Sequence, residues 1–371
     1  MTHPYENLPT SRFWRTAVGE RSPFQIEGLW SPKFRIKPRS KLVTAGSCFA
    51  QHISQALVAR GYTWIDAEPG PENMSAKAKQ DFHYGTFSFR TGNIYTVSML
   101  AQWISWATGN TSPPDDLWEK DGRFYDPFRP AVEPGGFASK AEALKSRGIT
   151  IAAVREAIET GDVFIFTLGL TEAWQNKENG IEYAACPGTV AGKFDLEKHV
   201  FVNHDYPSNS KLLRNVIRMI YKINPRMQIL LTVSPVPLTA TASEEHVLNA
   251  TSYSKSVLRA VAGDMVNRFK QVDYFPSYEI ITHPTFRGMF YAPNQRSVDP
   301  NGVEFVMNHF FTDQERAFSK KYTIRGPFGV EKQVTVGADE EEPEYWGKDA
   351  TPFVAEDVRC EEEMLDAFSK S

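Results

Sequence analysis

Three short runs constrain this chain more than any other feature: Lys41-Leu42-Val43-Thr44-Ala45-Gly46, Val163-Phe164-Ile165-Phe166-Thr167-Leu168-Gly169 and Gln228-Ile229-Leu230-Leu231-Thr232-Val233-Ser234. Each is apolar without the in-and-out alternation of a half-exposed strand, so each reads as a strand buried on both faces, the habit of parallel sheets. Helical spacing lies between them. Phe49, Ile53, Ala56 and Leu57 follow the first run, and segments near Ala152–Glu159 and Lys211–Ile223 precede the second and third. A helix over about Thr251–Phe269 then leads to a last strand, Val272-Asp273-Tyr274-Phe275. Buried strands alternating with helices predict an α/β sandwich built on a parallel sheet.

Around this core the organisation is uneven. Residues 1–40, rich in aromatics and proline (Phe13-Trp14-Arg15, Phe24, Leu29-Trp30, Phe34), read as a segment that wraps a domain surface. The α/β domain is expected over 41–320. Within it, breakers at Pro69-Gly70-Pro71, Ser112-Pro113-Pro114 and Pro134-Gly135-Gly136 mark a lid-like insertion over about 69–148, with one helix from Ile94 to Ala107. Residues 338–371 carry 12 acidic against three basic side chains, a balance of -9 that leaves about +5 on the rest of a chain whose net charge is -4. That stretch reads as a solvated acidic tail, its partner undefined.

The near balance of 41 Lys plus Arg against 45 Asp plus Glu lacks the basic footprint of a dedicated nucleic-acid binder. No apolar run approaches the roughly 20 residues of a membrane span. The opening residues, Met1 to Asn7, have no charged leader or apolar core, and three cysteines do not suggest a disulfide framework, so a cytoplasmic protein with reduced thiols is expected. Neither a Gly-x-Gly-x-x-Gly nor a Walker loop, a His-Glu-x-x-His or a Cys-x-x-Cys is present, so no cofactor and no metal are implied.

Ligands of open parallel sheets bind beyond the carboxyl ends of the strands. After the first strand, Gly46 permits a turn and Cys48 falls at the helix start, where free amides and the helix dipole favour a thiolate. Cys48 is thus a candidate nucleophile, against the alternative of a small buried apolar residue. After the second, Thr171 and Glu172 offer a hydroxyl and a carboxylate for oxyanion or acid-base work, or else simply cap a helix. A loop after the third delivers His246, a candidate base, with His52, His83, His199 and His204 as competitors. Arg296 or Arg287 could hold an anionic ligand or pair with the acidic tail.

The pentapeptide Gly46-Ser47-Cys48-Phe49-Ala50 matches the name motif of the GSCFA family, related to the SGNH/GDSL-like hydrolases. Further segments resemble that family in order: Asn7-Leu8-Pro9, Phe13-Trp14-Arg15-Thr16-Ala17, Tyr84-Gly85-Thr86-Phe87-Ser88, Thr91-Gly92-Asn93-Ile94-Tyr95, Thr167 to Trp174, Ser234 to Leu238 and Tyr274 to Glu279. The resemblance implies a three-layer α/β/α sandwich and acyl-ester chemistry, hydrolytic or transferring, possibly on a saccharide-type substrate. Aligned on the glycine, Cys48 takes the nucleophile position, with Ser47 beside it as orienter or alternative. The oxyanion glycine maps to Gly85 or Gly92, the latter preceding Asn93, and the Gly-x-Asn segment to Gly169-Leu170-Thr171, Thr standing for Asn. The Asp-x-x-His that supplies the base in SGNH enzymes is absent. That departure opens two readings: an enzyme whose base is another histidine, or a silent ligand-binding or scaffold protein.

Overall fold

A computed structural model describes residues 3–325, 331–336 and 361–369. The chain forms two compact units, Ile36–Tyr274 with Phe353–Ser371, and Met1–Arg35 with Phe275–Pro352. Residues 275–320 cluster with the second unit. Residues 337–360, which hold most of the expected acidic tail, lie outside the described residues.

Among the described residues the larger unit has nine strands: β1 (Leu42–Gly46), β2 (Trp118–Lys120), β3 (Arg123–Tyr125), β4 (Val163–Leu168), β5 (Glu172–Asn176), β6 (Glu182–Tyr183), β7 (His199–Asn203), β8 (Gln228–Val233) and β9 (Val272–Tyr274). Its helices are α1 (Cys48–Ala59), α2 (Ala76–Asp81), α3 (Val97–Thr108), α4 (Lys140–Thr160), α5 (Tyr206–Ile223) and α6 (Val247–Arg268). The main sheet runs β1-β4-β8-β9, all parallel. Every residue of β1 and β4 is buried, the reason both runs are apolar without alternation.

Beyond the free edge of β1, Trp64 makes a parallel bridge to Leu42, flanked by hydrogen bonds from the Leu42 amide to Thr63 O and from the Ile65 amide to Leu42 O. The chain thus steps outward from β1 through α1 in one direction, and through α4, α5 and α6 in the other. Right-handed crossovers place α1 on one face and α4–α6 on the opposite face. The result is the three-layer α/β/α sandwich, and the order reverses between β1 and β4.

The stretch expected as a lid-like insertion supplies α3, whose Val97, Met99, Leu100, Trp103, Ile104 and Trp106 are buried and which packs on α4 and α5. Helix α4 starts 12 residues before the expected segment at Ala152, with Gly148 in its interior. Ser139 Oγ accepts the Glu142 amide and Glu142 returns a carboxylate to the Ala138 amide, a reciprocal cap strong enough to begin the helix despite that glycine. Below it, the buried Asp126 is paired with Arg129 at 2.9 Å and Arg147 at 3.0 Å, fixing the insertion to α4.

The second unit holds α7 (Ser277–Thr282), α8 (Pro300–Phe318) and an antiparallel pair, β10 (Lys320–Arg325) and β11 (Glu331–Val336). Trp30 stacks on Phe310, meets Phe275 edge-on and donates its amide to Asp313 Oδ2 at 3.0 Å. Among the described residues no helix is long and apolar enough to cross a membrane, and no group of His, Cys, Asp and Glu is placed to hold a metal ion.

Candidate active site

In an open parallel sheet the ligand crevice forms where strand order reverses, here at the carboxyl ends of β1 and β4. Gly46 ends β1 at φ +138°, and a Cβ there would stand 2.5 Å from Thr167 O, so only glycine fits. The Ser47 amide then donates to Thr167 O at 3.2 Å, and the Ala50 amide closes the first turn of α1 onto Ser47 O at 2.8 Å. Cys48 is the first residue of that twelve-residue helix, buried at 5% exposure, where the dipole favours negative charge.

Two further segments converge on this turn. The Ile94 amide donates to Gly46 O at 2.8 Å, which brings Gly92 and Asn93 alongside, and Asn93 Oδ1 accepts from Gln51 on α1. The Gly169 and Leu170 amides both donate to Tyr95 O, at 3.1 and 2.9 Å. A Cβ on Gly169 would lie 2.9 Å from Tyr95 O and 3.0 Å from Ser47 Cβ, so this close approach again requires glycine. Helix α6 fastens the loop from behind: Ser254 Oγ accepts the Thr171 amide at 3.1 Å, and the buried Lys255 donates to Gly169 O at 2.7 Å.

The side-chain oxygens of Ser47, Thr167 and Thr171 are buried and make no hydrogen bond among the described residues. Serine at a helix N-cap usually accepts an amide of the first turn; Ser47 does not. Buried polar groups are nearly always paired, so the hydroxyls of Ser47 at the turn, Thr167 within β4 and Thr171 three residues past its end stand out as exceptions.

The remaining expected residues fall elsewhere. His246 is exposed and caps α6, its Nδ1 accepting the Leu248 amide at 3.2 Å. That bond engages one ring nitrogen of His246 as the acceptor of a backbone amide. Gly85 is exposed with open space around it, whereas Gly92 is buried beside Asn93, so of the two oxyanion glycines only Gly92 accompanies the turn. Thr171-Glu172 opens a strand, β5, not a helix. Glu172 lies half-buried, accepting Thr241 Oγ1 at 2.7 Å, and burial raises its pKa against the opposing pull of that hydroxyl and the Ala242 amide. Arg296 belongs to the second unit, in a loop closed by the Tyr291–Val298 bridge, with its amide on Asn294 Oδ1. His52 sits one turn after Cys48 on α1; its burial pushes the imidazole down to about 4.

Sequence reasoning missed Ser254 and Lys255. Their signal was present: Ser254 interrupts the apolar stripe of Ala250, Val257, Leu258, Val261 and Met265 on α6, a polar side chain where core is expected.

Fold and turn together define an α/β protein with a cysteine at the strand-to-helix turn of its topological switch point. The GSCFA family profile matches residues 41–310, and the chain belongs to that family. No curated protein matches it. Among solved structures, a Clostridium thermocellum family 3 carbohydrate esterase overlays at a TM-score of 0.32 with 11% identity, covering 74% of this chain and 94% of its own. So loose an overlay carries no argument about activity.

Proposed function

We propose that this protein is an SGNH-like acyl-ester hydrolase or acyltransferase with Cys48 as nucleophile and Ser47 as the alternative. The observation that carries the reading is Cys48 at the first turn of α1, where Gly46 and Gly169 let the β1 and β4 ends approach closely, with the hydroxyls of Ser47, Thr167 and Thr171 buried and unbonded in the same segments. In the proposed reaction the Cys48 thiolate attacks the acyl carbonyl, the oxyanion is held by the Cys48 amide, Thr171 and the Gly92 segment, and the carbon–oxygen ester bond breaks as the departing alkoxide takes a proton from solvent water, which is returned to solvent in the second step. Water or an acceptor hydroxyl then attacks the thioester, displaces the thiolate and gives up its own proton. A thiolate favoured by the helix dipole needs no base for its attack, which suits a chain without Asp-x-x-His. A saccharide as carrier or acceptor of the acyl group rests on family resemblance alone.

The capping role of His246 favours a second reading, ligand binding without turnover. Intact mass after exposure to p-nitrophenyl acetate and to acetyl thioesters separates the two. The enzyme reading expects one acetyl increment, removed by hydroxylamine and absent from Cys48→Ala. An increment that persists in Cys48→Ala excludes that residue as nucleophile, and none in the folded wild-type protein favours the binding protein.

A further inference from the structure

A cavity of about 320 Å³, within the range of small-molecule sites, lies in the larger unit beside β5 and shares Tyr95 and Leu170 with the segments that converge on the Cys48 turn. Its walls include Tyr95, Trp174, Tyr183 and Phe201, and no residue of 46–48 lines it. Three carboxylates line it, Glu172, Glu182 and Glu362, and the first two are engaged by neighbouring side chains. Glu172 accepts Thr241 Oγ1, while Glu182, buried, bonds His204 Nε2 at 3.1 Å and Thr96 Oγ1. Glu172 and Glu182 are thus held by the fold, and most of the surface left to a ligand is aromatic and aliphatic. Free anions are disfavoured by the carboxylates of the wall.

The mouth is partly closed by the chain's own end. Residues Glu361–Phe368 form a 3-10 helix that sets Met364, Leu365 and Phe368 against the cavity. The closure is shallow: Met364 stays 39% and Phe368 65% exposed, so little apolar burial holds the segment in place. Of this acidic segment, Met364, Leu365 and Phe368 line the cavity together with Glu362, so three of its four contributions are apolar.

We propose that this cavity is a binding site for a neutral aliphatic or aryl group, and that Met364, Leu365 and Phe368 occupy its mouth as an intramolecular stand-in that the ligand displaces. Cys186 lines the same cavity and gives a built-in reporter, slow to react because burial pushes its thiol up to about 11.

The test follows Nile red binding to the full chain, displacement of the dye by octanol and octanoate, and the rate of Cys186 alkylation read by peptide mapping. Leu365→Asp and Phe368→Asp should each tighten dye binding and speed Cys186 alkylation roughly tenfold by favouring the open mouth. Octanol should displace the dye and protect Cys186, and octanoate should do so far more weakly at mildly alkaline pH. Thr189→Trp, which fills the cavity, should abolish dye binding. Where that variant fails to fold, protection of Cys186 by octanol in the unaltered protein decides. The proposal is overturned if both tail variants leave dye affinity and alkylation rate unchanged, if Thr189→Trp binds dye normally, if octanoate competes as well as octanol, or if octanol gives Cys186 no protection.

Discussion

A buried hydroxyl without a partner costs a folded protein roughly 1–3 kcal/mol, and Ser47, Thr167 and Thr171 have no protein partner for theirs among the described residues. Replacing one by an isosteric apolar group removes that cost. Thr171→Val should therefore leave the melting temperature unchanged or raise it, while acyl-enzyme formation falls by about 10²–10³, the usual loss for one oxyanion donor. Thr171→Ser should keep the rate. Thermal melts beside burst-phase acylation kinetics check both. A destabilised Thr171→Val with undiminished acylation would show that the hydroxyl serves the fold. The same reasoning separates Ser47 from Cys48: Ser47→Ala loses an unpaired oxygen and no structural bond, so any loss of acylation in that variant reports chemistry at the turn.

Helix α1 carries the candidate nucleophile and a histidine that its packing keeps neutral. Burial lowers the His52 pKa from 6.5 to about 4, so between those values the unfolded chain binds the proton and the folded one does not. The contribution is complete above pH 6.5 and is lost at about 1.4 kcal/mol per unit as the pH falls towards 4. Urea midpoints across that window should slope with pH in the wild type and more shallowly in His52→Phe; equal slopes would show that another group sets the acid limit. This helix was also among the parts most legible in the sequence, because Gly46 and the apolar spacing from Phe49 to Leu57 are local. Strands β1, β4 and β8 were legible for a related reason, since burial on both faces leaves an unbroken apolar run. The course of β5 was not, because most of its pairing is with β7 at His199–Asn203, beyond the short β6. The early start of α4 was hidden by Gly148, and the capping role of His246 depends on one backbone amide. At the site, the turn could be read and its fastening by Ser254 and Lys255 could not, since that link spans more than 80 residues.

At the scale of the whole molecule, the family match at 41–310 runs across both compact units, ending within α8 at Phe310. Phe310 is the residue on which Trp30 stacks, so an N-terminal segment outside the matched range completes the core of the smaller unit. Three links tie that segment to α8: the Trp30 amide to Asp313, Gln314 to Phe34 O at 3.2 Å, and Arg316 bridging Asp313 at 2.7 Å and Glu27 at 3.0 Å. Compact units with separate cores open as separate cooperative blocks. Trp30→Ala should therefore cost about 3–5 kcal/mol, typical of a deleted buried tryptophan, and the loss should be confined to the smaller unit. Hydrogen exchange resolved by peptide should show residues 26–34 and α8 losing protection together, with β4 and β8 as slow as in the wild type. Equal loss in the strands would mean that the chain unfolds as one block. Protection retained in α8 would mean that its fold does not depend on the N-terminal segment.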